Sequence, residues 1–99
     1  MADTSAPVTV SDRPDRDRYE AYVEEQLAGF VTYSLRSGRV TLIHTEVDPA
    51  FEGHGVGSRL ARGVLDDIRA RGLRVRPLCP FIAEYIRRHP EYADLVDTG

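Results

Sequence analysis

No lysine occurs in this 99-residue chain, and all thirteen basic residues are arginine. A Walker-type phosphate loop, which closes on Lys followed by Ser or Thr, is therefore excluded. Cysteine is represented once, by Cys79, so neither an internal disulfide nor a cysteine-built metal cage can form. The three histidines, His44, His54 and His89, have no metal-ligand spacing, and no metal is expected. No apolar run has the length of a membrane-crossing helix, so no membrane partner is expected. The N-terminus lacks the basic flank and apolar stretch of a signal peptide, which points to the cytoplasm. A net charge of −3, with the arginines dispersed among Asp and Glu, argues against a nucleic-acid partner.

What is present reads as one domain over residues 1–99, with residues 1–6 a frayed tail. Val8, Thr9 and Val10 are β-prone and form a short first strand. The polar segment from Ser11 to Asp17 contains Pro14 and reads as a turn. Residues 18–23, 27–35 and 39–47 read as strands, with Gly29 marking a bulge and Ser37-Gly38 a tight hairpin. Short connections make these an antiparallel meander. The period then switches from two to 3.6. Leu60, Ala61, Val64, Leu65 and Ile68 share one helical face, giving a helix over 56–71 that Gly72 stops. A strand over 74–78 and a helix over 81–89 follow, the latter opened by Pro80 and ended by Pro90. A strand-helix-strand passage places its two strands parallel. The expected class is α+β, a mostly antiparallel sheet with two helices.

Between the strongest strand and the strongest helix lies Glu52-Gly53-His54-Gly55-Val56-Gly57-Ser58. Glycines let the backbone turn sharply and approach a ligand with no Cβ in the way. The unpaired N–H groups of the helix start converge there, and the helix dipole adds positive charge, so a phosphate or pyrophosphate is favoured. The Gly-x-Gly-x-Gly spacing departs from the dinucleotide fingerprint Gly-x-Gly-x-x-Gly. A coenzyme A pyrophosphate loop and a ligand-free glycine turn both remain open on these residues.

The stretch His44-Thr45-Glu46-Val47-Asp48-Pro49 followed by this turn resembles the signature strand and loop of GNAT acetyltransferases. Gly55 and Gly57 match the glycines of that signature, while Glu52 stands where it has Arg or Gln. Together with Pro77-Leu78-Cys79-Pro80-Phe81 and Arg88-His89-Pro90-Glu91-Tyr92, the chain resembles the small GNAT-like proteins of about one hundred residues. The resemblance implies a trimmed GNAT fold and acetyl-coenzyme A as cosubstrate. It implies pantetheine against the backbone of Thr45, Glu46 and Val47, and a pyrophosphate over Gly53, His54, Gly55, Val56, Gly57 and Ser58. It also implies an amine acceptor of unknown identity and a role for Cys79 as acetyl carrier or in direct transfer.

Chemistry offers further reasons for some of these residues. Cys79 falls at a helix start, which stabilises a thiolate, although a lone cysteine also serves as a small buried hydrophobe. His44 and Glu46 share a strand face and are candidate bases for an amine, or a structural polar pair. GNAT enzymes commonly carry an acidic Tyr in the last helix; Ile86 stands at that place, with Tyr85 beside it. Arg87-Arg88-His89 either compensates a helix C-terminus or touches the coenzyme. The expected function is N-acetyl transfer to a small or peptidyl amine by a monomer or weak homodimer. A non-catalytic acyl-coenzyme A sensor or interaction module is the alternative.

Overall fold

A computed structural model of the chain describes residues 7–53 and 55–97. The expected tail at 1–6 and His54 lie outside the described residues. Five strands form one sheet in the order β1-β2-β3-β4-β5. They are β1 (Val8–Arg13), β2 (Arg18–Val23), β3 (Gln26–Arg36), β4 (Arg39–Val47) and β5 (Arg74–Pro77). The first four pair antiparallel, and β5 pairs parallel to β4 after the crossover helix α1 (Val56–Ala70). Helix α2 (Pro80–Arg88) follows. The expected α+β meander with two helices is thus the observed architecture.

The buried residues of α1 include Leu60, Ala61, Val64, Leu65 and Ile68, the stripe expected from the sequence. Burying each of the larger ones contributes roughly 1.5–3 kcal/mol. They pack on a single core with Val31, Val40 and Leu42 of the sheet. Tyr19 of β2 donates its hydroxyl to Asp67 of α1 at 2.7 Å, tying strand to helix. At the other flank Tyr92 donates to Asp66 at 2.7 Å and Arg69 pairs with Asp94. These bonds hold the 3-10 turns of Pro90–Leu95 against α1.

Three local readings differ from the sequence expectation. β1 runs on through Ser11, Asp12 and Arg13, because each finds a register partner on β2 that a polar sequence does not reveal. The expected turn shrinks to the 3-10 segment Pro14–Arg16. Pro90 does end α2, yet the chain continues as 3-10 turns because Tyr92 and Leu95 are buried there. The irregularity expected at Gly29 falls one residue earlier. Ala28 is the unpaired residue between Leu27↔Tyr22 and Gly29↔Ala21. Gly29 itself is needed for close approach, since a Cβ there would meet the Glu46 carbonyl oxygen at 2.7 Å.

Candidate functional site

A second bulge decides the geometry of β4. Thr32 pairs with His44 and Tyr33 with Leu42, so Ile43 is an extra residue with no partner on β3. On the other side, β4 and β5 pair only from Arg39↔Arg74 to Leu42↔Pro77. The N–H groups of Leu78 and Cys79 both donate to the Leu42 carbonyl at 3.0 Å, and there the pairing ends. β4 continues to Val47 while the chain turns away into α2, opening a gap between them.

The extra residue sets which backbone groups face that gap. The Leu42 carbonyl points to β5. Beyond Ile43 the parity flips: the Thr32 hydroxyl donates to the His44 carbonyl at 3.5 Å, and the Glu46 carbonyl crowds Gly29 of β3. Asp48 likewise donates its N–H to Ala28 at 2.8 Å. Residues 44, 46 and 48 therefore address β3, and by alternation the backbone of Thr45 and Val47 turns towards the gap.

The foot of the gap is closed by Cys79. Its side chain is 3% exposed, and its sulfur lies 2.9 Å from the Thr45 hydroxyl. Cys79 is the N-cap residue of α2, and its carbonyl accepts from Ala83 N–H at 3.0 Å. On the opposite side of β4, His44 Nε2 lies 3.0 Å from a Glu46 carboxylate oxygen. These two side chains are 57% and 61% exposed. The Phe30 and His44 rings meet edge to face, 6.4 Å between centroids, and the Arg18 guanidinium sits 4.5 Å from the Phe30 centroid. Arg18 in turn pairs with Glu20, which is fully buried between Arg13, Arg16 and Arg18.

At the far end of β4 the Asp48 carboxylate accepts from Ala50 N–H, shaping the turn Pro49–Phe51. Gly53 and Gly55 then take positive φ of 87° and 76°, and Gly55 is the left-handed N-cap of α1. Among the described residues no side chain caps this helix start, and its first turn holds no acidic residue. The N–H groups of Val56, Gly57 and Ser58 are thus left to a ligand or water. An open groove of about 320 Å³ runs over them, lined among others by Val47, Glu52, Ser58 and Phe81. Phe81 of α2 lies so close to Gly57 that a Cβ there would meet its ring at 2.8 Å.

The site residues singled out in the sequence fall in three groups. Thr45, Val47 and Cys79 meet at the gap; Gly53, Gly55, Val56, Gly57 and Ser58 line the groove that adjoins it at Val47. Val56 adds only its backbone there, because its side chain is buried. His44 and Glu46 form a pair on the other face. His54 lies outside the described residues. Ile86 is buried, and Tyr85 lines a different groove with Arg88 and His89. The sequence reading missed Ile43 and the wall formed by Phe81, and the only signal for the latter was an aromatic next to a helix-opening proline. Among the described residues, no group of three metal-ligand side chains occurs and no helix is long and apolar enough to cross a membrane.

A strand that loses its parallel neighbour thus lies beside a glycine-rich helix start in an α+β domain. The chain belongs to the GCN5-related N-acetyltransferase family, whose pattern matches residues 18–95. It is 35% identical to the protein NATD1 of Xenopus tropicalis over 51 residues, covering 52% of this chain and 47% of that protein. The match therefore spans under half the length of that relative. The fold is similar to the solution structure of a GCN5-like protein from Staphylococcus aureus, with TM-score 0.66, 19% identity, and coverage of 98% of this chain and 91% of that one. It is also similar to the crystal structure of Ard1 from Thermoplasma volcanium, with TM-score 0.56, 26% identity, and coverage of 77% and 53%.

Proposed function

We propose that the protein transfers the acetyl group of acetyl-coenzyme A to a primary amine on a small molecule or peptide. The observation that carries this reading is the gap beside β4, faced by the backbone of Thr45 and Val47 and continuous with the glycine groove. A pantetheine arm has amide groups that pair with a strand as another strand would, and Thr45 and Val47 supply the partners. The pyrophosphate would lie on the N–H groups of residues 55–58. Glu52 is exposed and its carboxylate gives no help there, so the backbone carries the anion.

The coenzyme supplies an activated thioester. The amine nitrogen attacks its carbonyl carbon, the C–N bond forms, the C–S bond breaks, and the amine gives up a proton. Glu46, as a carboxylate, only accepts, so His44 Nε2–H donates to it and Nδ1 holds the lone pair that takes the proton. With Ile86 at the helix position where a tyrosine acid is common in this family, the departing thiolate takes its proton from solvent.

A second reading rests on one distance, the 2.9 Å between Thr45 Oγ1 and Cys79 Sγ at the foot of the gap. Here the Cys79 thiol attacks the thioester, coenzyme A leaves as the thiol, and the amine then displaces the cysteine sulfur. Purified protein incubated with acetyl-coenzyme A and an amine panel separates these routes. Thiol release with an amine and no protein adduct supports direct transfer, and a 1:1 acetyl adduct by intact mass supports the carrier route. Binding by calorimetry with neither outcome would leave a coenzyme-binding module, and no binding would overturn the reading altogether.

A further inference from the structure

We infer that the acceptor lies on the sheet face opposite the helices and is a peptide whose second residue is acidic, with Arg18 reading that carboxylate. The inference rests on the transfer reading above and names the acceptor class that reading leaves open.

Both helices pack into one core, against Tyr19, Ala21, Val31, Val40 and Leu42 of the sheet. The residues that alternate with these turn to the other face. There the register sets two rows across β2, β3 and β4. Arg18, Thr32 and His44 form one, and Glu20, Phe30 and Glu46 form the next. Two strand spacings separate the ends of each row by about 10 Å. A cavity of about 190 Å³ opens beside the second row, lined among others by Leu27, Phe30, Glu46, Val47 and Pro49. Val47 also lines the glycine groove, so cavity and groove meet at that residue.

The two ends of this face differ in charge. At one end the Glu46 carboxylate and the His44 ring suit an amine, which is a cation until it gives up its proton. At the other, Arg13, Arg16 and Arg18 meet Asp15 and Glu20, three guanidiniums against two carboxylates. Glu20 is fully buried and accepts from Arg18 Nε at 2.7 Å, which holds that guanidinium 4.5 Å from the Phe30 centroid. Phe30 in turn meets His44, so one ring separates the cationic end from the basic end. A guanidinium already held in place loses little freedom on meeting a second carboxylate. The carboxylate of a free α-amino acid lies about 3 Å from its nitrogen, too near to reach both ends. The side-chain carboxylate of a second residue, about 7 Å from the terminal nitrogen of an extended peptide, spans them with one contact at each end. Pairing with Glu20 explains why arginines gather there, but not why Arg18 lies over the ring that adjoins the amine end.

Two peptides that differ only in beginning Ala-Glu or Ala-Gln test the assignment, with thiol release from acetyl-coenzyme A as the readout. The kcat/KM of the Ala-Glu peptide should be higher by at least tenfold, chiefly through KM, as for one charge-assisted contact. Screening should shrink that ratio several-fold between about 50 and about 500 mM salt. Arg18→Gln should bring the ratio near one. Because this change strips a partner from buried Glu20, the double variant Arg18→Gln, Glu20→Gln is measured beside it, and circular dichroism checks both folds. If neither variant folds, the salt series on the unaltered protein decides. Equal kcat/KM for the two peptides, a ratio indifferent to salt, or a ratio kept by a folded variant overturns the inference while the transfer reading stands. Turnover of small amines but of neither peptide does the same. No turnover of any amine overturns the two together.

Discussion

The hydroxyl of Thr45 and the sulfur of Cys79 lie 2.9 Å apart at the point where β4 and β5 part, joining the two walls of the gap. Because Cys79 is buried, the protein without ligand should react slowly with iodoacetamide. Cys79→Ala should lower stability by about 1–2 kcal/mol, since it removes packed volume and the Thr45 partner. Cys79→Ser keeps a partner for Thr45 and should retain most of the turnover under direct transfer. Loss of turnover together with loss of an acetyl adduct in Cys79→Ser would instead give the chemistry to the thiol.

Gly55 has a positive φ of 76°, and apart from its chain neighbours no described residue comes within 4 Å of a would-be Cβ. Asn tolerates that conformation, so Gly55→Asn should fold and bind coenzyme A within a fewfold of the unaltered protein. Gly55→Asp is nearly isosteric with it but places a carboxylate at the phosphate. Its affinity should fall at least tenfold, roughly the 1.4 kcal/mol of a modest charge repulsion. Equal affinities of the two variants would show that no anion lies on this helix start.

His44 and Glu46 touch neither the core nor the groove, so their replacement separates catalysis from binding. His44→Ala and Glu46→Gln should each reduce the turnover rate by about 10²-fold, a common loss for a general base, with coenzyme affinity unaltered. Unchanged rates in both variants would leave the pair a surface contact.

Glu20 carries the acid sensitivity of the sheet. Burial pushes its carboxyl up, but the Tyr22 hydroxyl and Arg18 outweigh this, and its value falls below the ordinary 4.5. A depressed value means that the stabilisation is fully present above the unfolded value and is lost as pH falls through the folded one. Glu20→Gln should therefore be less stable by roughly 2 kcal/mol at pH 7. The difference should narrow as pH drops below about 4. Denaturant titrations of both proteins at neutral and acid pH check this, and a gap independent of pH would exclude an ionised Glu20.

Much of this molecule could be read from its residues, and the exceptions share a cause. A run of β-favouring residues located β4, and the 3.6-residue stripe of α1 fell where the buried residues are, because side-chain burial on a helix follows that period directly. The glycine turn was legible because backbone conformation requires those residues. The bulge at Ile43 was not, since an extra β-favouring residue in a β-favouring run leaves no mark until β3 is laid beside it. Burial of Glu20 depends on Arg13, Arg16 and Arg18 arriving from two strands and a turn. The seal over Cys79 depends on Thr45, 34 positions away. Each of these is a property of pairing between distant segments rather than of any one segment.

The extra residue at Ile43 also writes a pattern into the isotope labelling of β4. In deuterated solvent the amides of His44 and Glu46, turned to β3, should keep their protons, while those of Thr45 and Val47 should exchange within the same strand many times faster. Local opening would give neighbouring amides similar rates; a fast-slow alternation over adjacent residues reports instead a strand with one occupied edge and one vacant. Addition of coenzyme A should slow the fast set alone, so that the alternation fades as the missing neighbour is replaced by a small molecule.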